Sequence, residues 1–266
     1  MAENLQTSGG VIVLGPYRSG TSVTAKVLSM LGVNFGPVTE LVPPSPKNPG
    51  GFYERRDINA ANTALLESAG ATLADPGDPR ELARRADFAT LKMANMSWTH
   101  QRGLWGIKDP RMCATLLAWI EAGVLDRDSF RIVHVLRGIE ATVRSGLDFK
   151  AIREYCDGTE AGIRAMTERY IELADWHVKH LEVPSLELNY ESLITQPEEI
   201  VGQLARFIGV DDPRRIRKAT KVIGKDRGMQ TAMLRRFLIR IVRRLKRILS
   251  GGPIFNPRKP ASPSGD

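Results

Sequence analysis

The sequence has little cysteine and no long apolar run near its start. Only two cysteines, Cys113 and Cys156, occur in 266 residues, and no C-x-x-C pair is formed. A disulfide framework is therefore not expected, and two buried thiols in a reducing compartment fit the count. The first ten residues, MAENLQTSGG, lack a basic stretch followed by a long apolar one. Neither a signal peptide nor a membrane-spanning anchor is expected, which favours a cytoplasmic location.

Residues 1–233 carry no excess of basic charge. Nine of the 38 Lys and Arg residues, but only one of the 30 acids, lie in residues 234–266. That segment alone accounts for the net charge of +8, because the other 29 basic and 29 acidic residues cancel. Nucleic-acid-binding domains usually concentrate basic charge on the fold itself, so nucleic acid is an improbable partner.

Short apolar runs alternate with helical periodicity along most of the chain. Strands are predicted at Val11–Leu14, Leu104–Lys108, Phe130–Leu136 and Ser185–Asn189, and helices at 21–31, 54–69, much of 79–98, 112–123, 138–153, 158–181 and 197–208. This order predicts a P-loop-like three-layer α/β/α fold with a central parallel sheet. We expect that domain in residues 1–230, a basic amphipathic helix in 231–250 and a disordered tail in 251–266.

A phosphate-binding loop is expected after the first strand. The stretch VIVLGPYRSGTS ends at Ser22, and from Gly15 it reads G-x-x-x-x-G-T-S. A nucleotide triphosphatase loop has a lysine where this chain has Thr21. Gly15 and Gly20 permit a tight turn whose N–H groups, with the positive end of the next helix, face an anion. Arg18 supplies a forked cation inside the turn.

Two further elements fit the same chemistry. The strand RIVHVL ends in Arg137, and Ser145 follows eight residues later on the next predicted helix. Arg137 would leave the sheet at its carboxyl edge, where open α/β sheets bind ligands. The segment LNYESLITQPEEIVGQLARFIGV includes Tyr190 at the end of the fourth strand.

These elements resemble the PAPS-dependent sulfotransferases, which use 3′-phosphoadenosine-5′-phosphosulfate (PAPS). The likeness covers about residues 10–210 and is nearest the branch with Arg-Ser-Gly-Thr loops, which includes carbohydrate and tyrosylprotein sulfotransferases. It implies that the loop grips the 5′-phosphosulfate, that Arg137 and Ser145 hold the 3′-phosphate in a separate pocket, and that Tyr190 lies near the adenine. The donor-binding residues implied are Gly15, Arg18, Ser19, Gly20, Thr21, Ser22, Arg137, Ser145 and Tyr190.

Sulfuryl transfer needs a cation at the leaving phosphate and a base at the acceptor hydroxyl. We predict Arg18 as that cation, with Lys108 as the second candidate, and Glu54 as the base. Alternatively, Lys108 and Glu54 serve only in ion pairs, or Glu54 caps a helix. Rival carboxylates are Glu40, Asp57 and Asp109. His134 is read as a core residue, and His100, His177 and His180 lack metal spacing, so no metal is expected.

The segment 234–249, LRRFLIRIVRRLKRIL, combines an apolar stripe with basic residues and no acid. Such a helix can lie on an anionic membrane, although packing on the domain or on a partner is an alternative. The resulting hypothesis is a bacterial sulfotransferase that acts on a carbohydrate or glycolipid hydroxyl. We expect it in the cytoplasm, either free or peripheral to the inner face of the membrane. The alternatives are a nucleotide-dependent kinase and a non-catalytic membrane-peripheral adaptor with the same fold.

Overall fold

A parallel four-stranded sheet forms the centre of the computed structural model, which describes residues 9–100 and 102–223. The strands are β1 (Gly9–Leu14), β2 (Leu104–Lys108), β3 (Phe130–Leu136) and β4 (Ser185–Asn189). Their order is β2-β1-β3-β4, and each neighbouring pair is parallel. All four carboxyl ends therefore meet at one edge of the sheet, as the sequence predicts.

The two inner strands are apolar on both faces because helices cover both sides of the sheet. Val11, Ile12, Val13 and Leu14 of β1 are completely buried. Ile12 and Leu14 belong to one core cluster, and Val11 and Val13 belong to the other. This alternation places β1 between two hydrophobic layers and confirms the predicted three-layer arrangement.

The helices surround this sheet in the order expected for crossover connections. They are α1 (Thr21–Leu31), α2 (Arg56–Ser68), α3 (Pro79–Arg85), α4 (Phe88–Lys92), α5 (Met112–Glu121), α6 (Ile139–Leu147), α7 (Lys150–Tyr155), α8 (Glu160–His180), α9 (Tyr190–Thr195) and α10 (Pro197–Phe207). Residues 213–223 are also helical. Buried residues of α2, α3, α5 and α8 enter one core, whereas those of α1, α10 and 213–223 enter the other.

Two predicted helices are interrupted, and one short helix was not predicted. The 79–98 segment breaks before Asp87, whose side chain accepts the Ala89 N–H and begins α4. The 138–153 segment breaks at Asp148 and Phe149, between α6 and α7. The short α9 begins where the Asn189 side chain accepts the Ser192 N–H. At the starts of α4 and α9, a side-chain cap sets the helix boundary, which the helical periodicity used for the prediction does not record.

Part of the predicted organisation lies outside the described residues. This applies to the boundary at residue 230, the basic helix in 231–250, with its segment 234–249, and the tail in 251–266. Within the described ranges, every helix is too short or too polar to span a bilayer. Cys113 and Cys156 are both buried free thiols, as the sequence predicts.

His177 is a buried helix residue whose protonation opposes folding. Its Nδ1 atom lies 2.9 Å from the Leu173 carbonyl oxygen, and its Nε2 atom accepts the Leu117 N–H at 3.2 Å. The ring is therefore neutral, with its hydrogen on Nδ1. Burial lowers the pKa of His177 to about 4 from the ordinary 6.5.

We expect His177 to make the free energy of unfolding fall as the pH is lowered from 6.5 to about 4. The unfolded chain takes up a proton near pH 6.5, whereas the folded chain resists until about pH 4, so protons favour unfolding between these values. Between pH 7 and pH 5, the wild type should therefore lose about 2 kcal/mol more of its unfolding free energy than the His177→Gln variant does. Urea denaturation at both pH values measures this difference, with Lys179→Gln as an exposed control on α8. If the unfolding free energy of His177→Gln fell with pH as steeply as that of the wild type, His177 would not be the group responsible.

Candidate active site

The loop between β1 and α1 makes a tight turn, closed by the Ser19 N–H on the Pro16 carbonyl, that leads directly into the start of α1. Gly20 has φ 102° at the N-cap of α1, a left-handed conformation that favours glycine. The Gly15 N–H donates to the buried Cys113 Sγ at 3.2 Å, which fixes the start of the loop. Ser19 is completely buried, and its hydroxyl donates to the Pro16 carbonyl at 2.8 Å. Ser19 therefore supports the shape of the loop, while the start of α1 remains available for an anion.

Arg18 lies with Ser145 and Arg137 at one end of this loop. Arg18 itself has a left-handed backbone, with φ 68°, and its Nε donates to Ser145 Oγ at 3.1 Å. Its guanidinium stacks on the Phe149 ring, 4.9 Å from the centroid. Nη1 of Arg137 donates to the Arg18 carbonyl at 3.0 Å. The sequence analysis expects two separate pockets for Arg18 and Arg137, whereas the structure brings both residues into one cluster.

The two guanidinium groups form a concentration of positive charge. Burial first, and then the charge of Arg137, lowers the pKa of Arg18; Tyr190 and Asp148 raise it by smaller amounts. Arg137 Nε is buried, and no partner for it occurs among the residues that the structure describes. A buried donor without a partner is costly, and an oxyanion between these groups would satisfy it.

Tyr190 closes the same cluster from the side of β4. Arg137 stacks over the Tyr190 ring at 4.8 Å. A Cβ atom on Gly20 would lie 2.2 Å from that ring, so only glycine lets the loop and the tyrosine pack this closely. Next to Tyr190, Glu191 Oε1 accepts the Gly138 N–H at 3.2 Å and ties the start of α6 to α9. Tyr190 is therefore part of the Arg18 and Arg137 cluster, as its place at the end of β4 allows.

Lys108, Glu54 and Ser22 form a second cluster at the other end of the loop. Lys108 Nζ makes a short ion pair with Glu54 Oε1 and donates to Ser22 Oγ at 3.4 Å. The exposed fractions of the Lys108 and Glu54 side chains are only 3% and 11%. Asn48, from the Pro- and Gly-rich loop, donates to the same Ser22 oxygen at 3.3 Å. A cation and a carboxylate therefore lie buried beside the first turn of α1.

Of the two alternatives left open for Glu54, ion pairing is present and helix capping is not. Helix α2 begins with Arg55 as its N-cap, and in its first turn the Ile58 N–H is accepted by Asp57 Oδ1 at 2.9 Å and not by Glu54. Tyr53, which precedes Glu54, has φ 59° and packs against Phe35. A non-glycine residue in this conformation is costly and occurs often next to functional groups.

The three rival carboxylates are occupied elsewhere. Asp57 binds Arg55 through two hydrogen bonds of 3.0 and 2.7 Å, and the Arg55 hydrogen bond and charge lower the pKa of Asp57 despite partial burial. Glu40 also pairs with Arg55, at 2.5 Å. Asp109 is buried and pairs with Arg111 at 3.0 Å. None of these three contacts Ser22 or Lys108 in the described hydrogen bonds and ion pairs.

A layer of polar residues that the sequence analysis did not assign lies behind Glu54. Asn59 donates to Glu54 Oε2 at 3.0 Å and accepts a short hydrogen bond from Arg111. Asn62 donates to Asp109 Oδ2 at 3.0 Å. The sequence signals for this layer are the KDPR stretch after β2 and two asparagines three residues apart on α2, which fall on one face of a helix.

The histidine side chains that the structure describes, those of His134, His177 and His180, make no hydrogen bond or ion pair with a residue of the site. His134 lies in β3, buried and 3.4 Å from Asp175, and burial lowers the pKa of His134. His177 is a core residue of α8, and the side chain of His100 lies outside the described residues. No group of three potential metal ligands occurs in the described part of the chain.

No family model and no curated protein matches this chain. Among solved structures, it is similar to the sulfotransferase domain of the Synechococcus PCC 7002 olefin synthase. The two share 17% identity over 81% of this chain and 78% of that one, with a TM-score of 0.47. A sulfotransferase domain from the curacin biosynthetic pathway matches at 13% identity over 79% of this chain and 76% of that one, with a TM-score of 0.42.

Gly20→Ala should destabilise the protein because the new Cβ would meet the Tyr190 ring in a left-handed backbone. We expect a loss of about 2 kcal/mol or more in unfolding free energy. Gly123→Ala is the matched control, because Gly123 has φ 67° and no atom near its added Cβ. That control should lose only about 1 kcal/mol, from the backbone alone. Chemical denaturation measures both variants, and equal losses would show that contact with Tyr190 is unimportant.

Proposed function

We propose that this protein transfers a sulfuryl group from PAPS to a hydroxyl acceptor. The observation that carries the proposal is the presence of two different charged clusters at the two ends of one phosphate-binding loop. Arg18, Arg137 and Ser145 form a cationic cluster with an unpaired donor, and Lys108, Glu54 and Ser22 form a cation–carboxylate cluster. PAPS carries a phosphate at its 3′ position and a phosphosulfate at its 5′ position, so one cluster could bind the 3′-phosphate and the other the reacting phosphosulfate.

The cationic cluster suits the 3′-phosphate of the donor. Two arginines and a hydroxyl supply forked and single donors to a tetrahedral dianion. Arg137 Nε is the buried donor that such a group would satisfy. We therefore assign Arg18 to the 3′-phosphate and not to the leaving phosphate, because its guanidinium lies with Ser145 and Phe149.

The second cluster suits the transfer itself. Lys108 and the N–H groups at the start of α1 would neutralise charge on the leaving phosphate, and the Ser22 hydroxyl would help to orient it. Glu54 would accept the proton of the attacking hydroxyl. The residues of this chain thus position the reactants and place charges, as is typical of phosphoryl-type transfers.

A sugar hydroxyl is the acceptor that we propose, either on a carbohydrate or on a glycolipid. Two partly exposed aromatic rings lie near the clusters: Phe52 packs against Phe149 with ring centroids 6.4 Å apart. Phe52 is two residues from Glu54, and Phe149 contacts Arg18. Exposed aromatic faces can pack on the C–H face of a sugar while its hydroxyls reach the polar groups nearby.

The 3′-phosphate assignment is tested with adenosine 3′,5′-bisphosphate and adenosine 5′-monophosphate. We expect the wild type to bind the bisphosphate more tightly in the absence of Mg²⁺. Arg137→Ala should weaken the bisphosphate by about 10- to 100-fold, the value of charge-assisted hydrogen bonds, and barely affect the monophosphate. Isothermal titration calorimetry measures both ligands, with Arg144→Ala as an exposed control on α6.

Two results would contradict this assignment. Equal losses for both nucleotides in Arg137→Ala would remove Arg137 from the 3′-phosphate. Tighter binding of Mg-ATP than of the bisphosphate by the wild type would favour the kinase alternative.

Glu54→Gln should lower sulfuryl transfer by about 10²- to 10⁴-fold, the usual contribution of a positioned base. Affinity for the bisphosphate should change little, because the amide keeps the shape of the carboxylate. Transfer is measured with radiolabelled PAPS and a panel of octyl glucoside, maltose and p-nitrophenol, with Glu67→Gln as an exposed control on α2. An unchanged rate in Glu54→Gln would place the base elsewhere.

A further inference from the structure

We infer that Asn59 is a positioning residue for Glu54, and that Arg111 holds Asn59 in place from the buried layer beneath. This inference rests on the proposed function, because it assigns Asn59 to the residue proposed as the base. Neither Asn59 nor Arg111 makes a described hydrogen bond to the loop of residues 15–22. Its evidence is a continuous chain of hydrogen bonds from Glu54 into the core.

The two oxygens of Glu54 have different partners. Oε1 pairs with the Lys108 ammonium, whereas Oε2 accepts only the neutral Asn59 amide, at 3.0 Å, among the described residues. The ammonium neutralises the charge on Oε1, so Oε2 is the oxygen left to take a proton. A carboxylate held only through Oε1 could rotate about its last side-chain torsion, which has a broad energy minimum. Asn59 prevents that rotation and sets the direction of Oε2.

The orientation of the Asn59 amide follows from its two neighbours. Arg111 can only donate hydrogen bonds, and an ionised Glu54 can only accept them. The amide must therefore present Oδ1 to Arg111 and Nδ2 to Glu54, as the structure has it. A flipped amide would lose both hydrogen bonds, so Asn59 has one stable orientation.

Arg111 is held by a buried network that gives this arrangement its rigidity. Asp109, 1% exposed, accepts Arg111 Nη1 at 3.0 Å and the Asn62 amide at 3.0 Å. Asn62 Oδ1 accepts the Thr115 hydroxyl and the Trp119 indole N–H, both at 2.7 Å. Low polarity in the core strengthens each of these bonds, so the network resists displacement. Because Asp109 directly follows Lys108 in the chain, one strand end supports both members of the ion pair.

A double-mutant cycle between Asn59 and Glu54 tests the inference. In the wild-type background, Asn59→Ala should lower the rate of transfer from radiolabelled PAPS to the best acceptor of the panel by about 10-fold. Affinity for adenosine 3′,5′-bisphosphate should stay within about twofold, which also shows that the variant folds. In the Glu54→Gln background, the same Asn59→Ala change should alter the remaining rate by less than about twofold.

Arg111→Lys is the second variant, because it keeps a charge beside Asp109 and is less disruptive than removal of Asn59. It should lower the rate by a smaller factor, and combination with Asn59→Ala should add nothing to the loss from Asn59→Ala alone. Ser68→Ala is the control on the same helix: the Ser68 hydroxyl donates only to the Leu65 carbonyl, and its loss should leave the rate unchanged.

The outcomes separate the two claims. Full activity of Asn59→Ala, or the same fractional loss in both Glu54 backgrounds, would overturn the positioning role and leave the proposed function intact. Absence of any sulfate transfer by the wild type would overturn the proposed function and this role with it.

Discussion

The parallel pairing of β1 with β2 on one side and β3 on the other is the constraint on which the site depends. Val13 is opposite Lys108 in one pair, and Leu14 is opposite His134 in the other. Three neighbouring strands therefore end at nearly the same level, and the loop, Lys108 and Arg137 leave the sheet side by side. Apolar side chains on both faces hold this register, because a slip by one residue would exchange the two buried faces.

Charge is distributed differently in the two clusters at this edge. In the Lys108 and Glu54 pair, two opposite charges compensate each other inside the protein. In the Arg18 and Arg137 cluster, two like charges approach each other, and burial together with the charge of Arg137 lowers the pKa of Arg18. A cluster of this second kind gains most from an anionic ligand, whereas the first is already organised before any ligand arrives. In the function that we propose, this difference separates recognition of the donor from the chemistry of transfer.

The Pro- and Gly-rich loop joins the site through contacts that do not depend on regular structure. Arg55, 4% exposed, pairs with Glu40 from the loop and with Asp57 from α2, and its guanidinium lies 5.2 Å from the centre of the Trp98 ring. Asn48, which lies within the loop, donates a hydrogen bond to Ser22. One buried arginine thus anchors a long irregular segment, so that Asn48 within the loop and Glu54 after it reach the same part of the site.

Local sequence was sufficient to predict the four strands, the glycine turn between β1 and α1 and the place of Arg137 at the carboxyl edge of the sheet. These features depend on apolar periodicity, turn chemistry and the common edge of a parallel sheet, all of which are short-range or topological. The direction of the Arg18 side chain, the pairing of Glu54 with Lys108 and the support from Asn59 and Arg111 were decided by tertiary structure. Arg18 and Ser145 are 127 positions apart, and Glu54 and Lys108 are 54 apart. Only packing of the helices on the sheet brings such residues within hydrogen-bonding distance, and no local pattern records which partner each one meets.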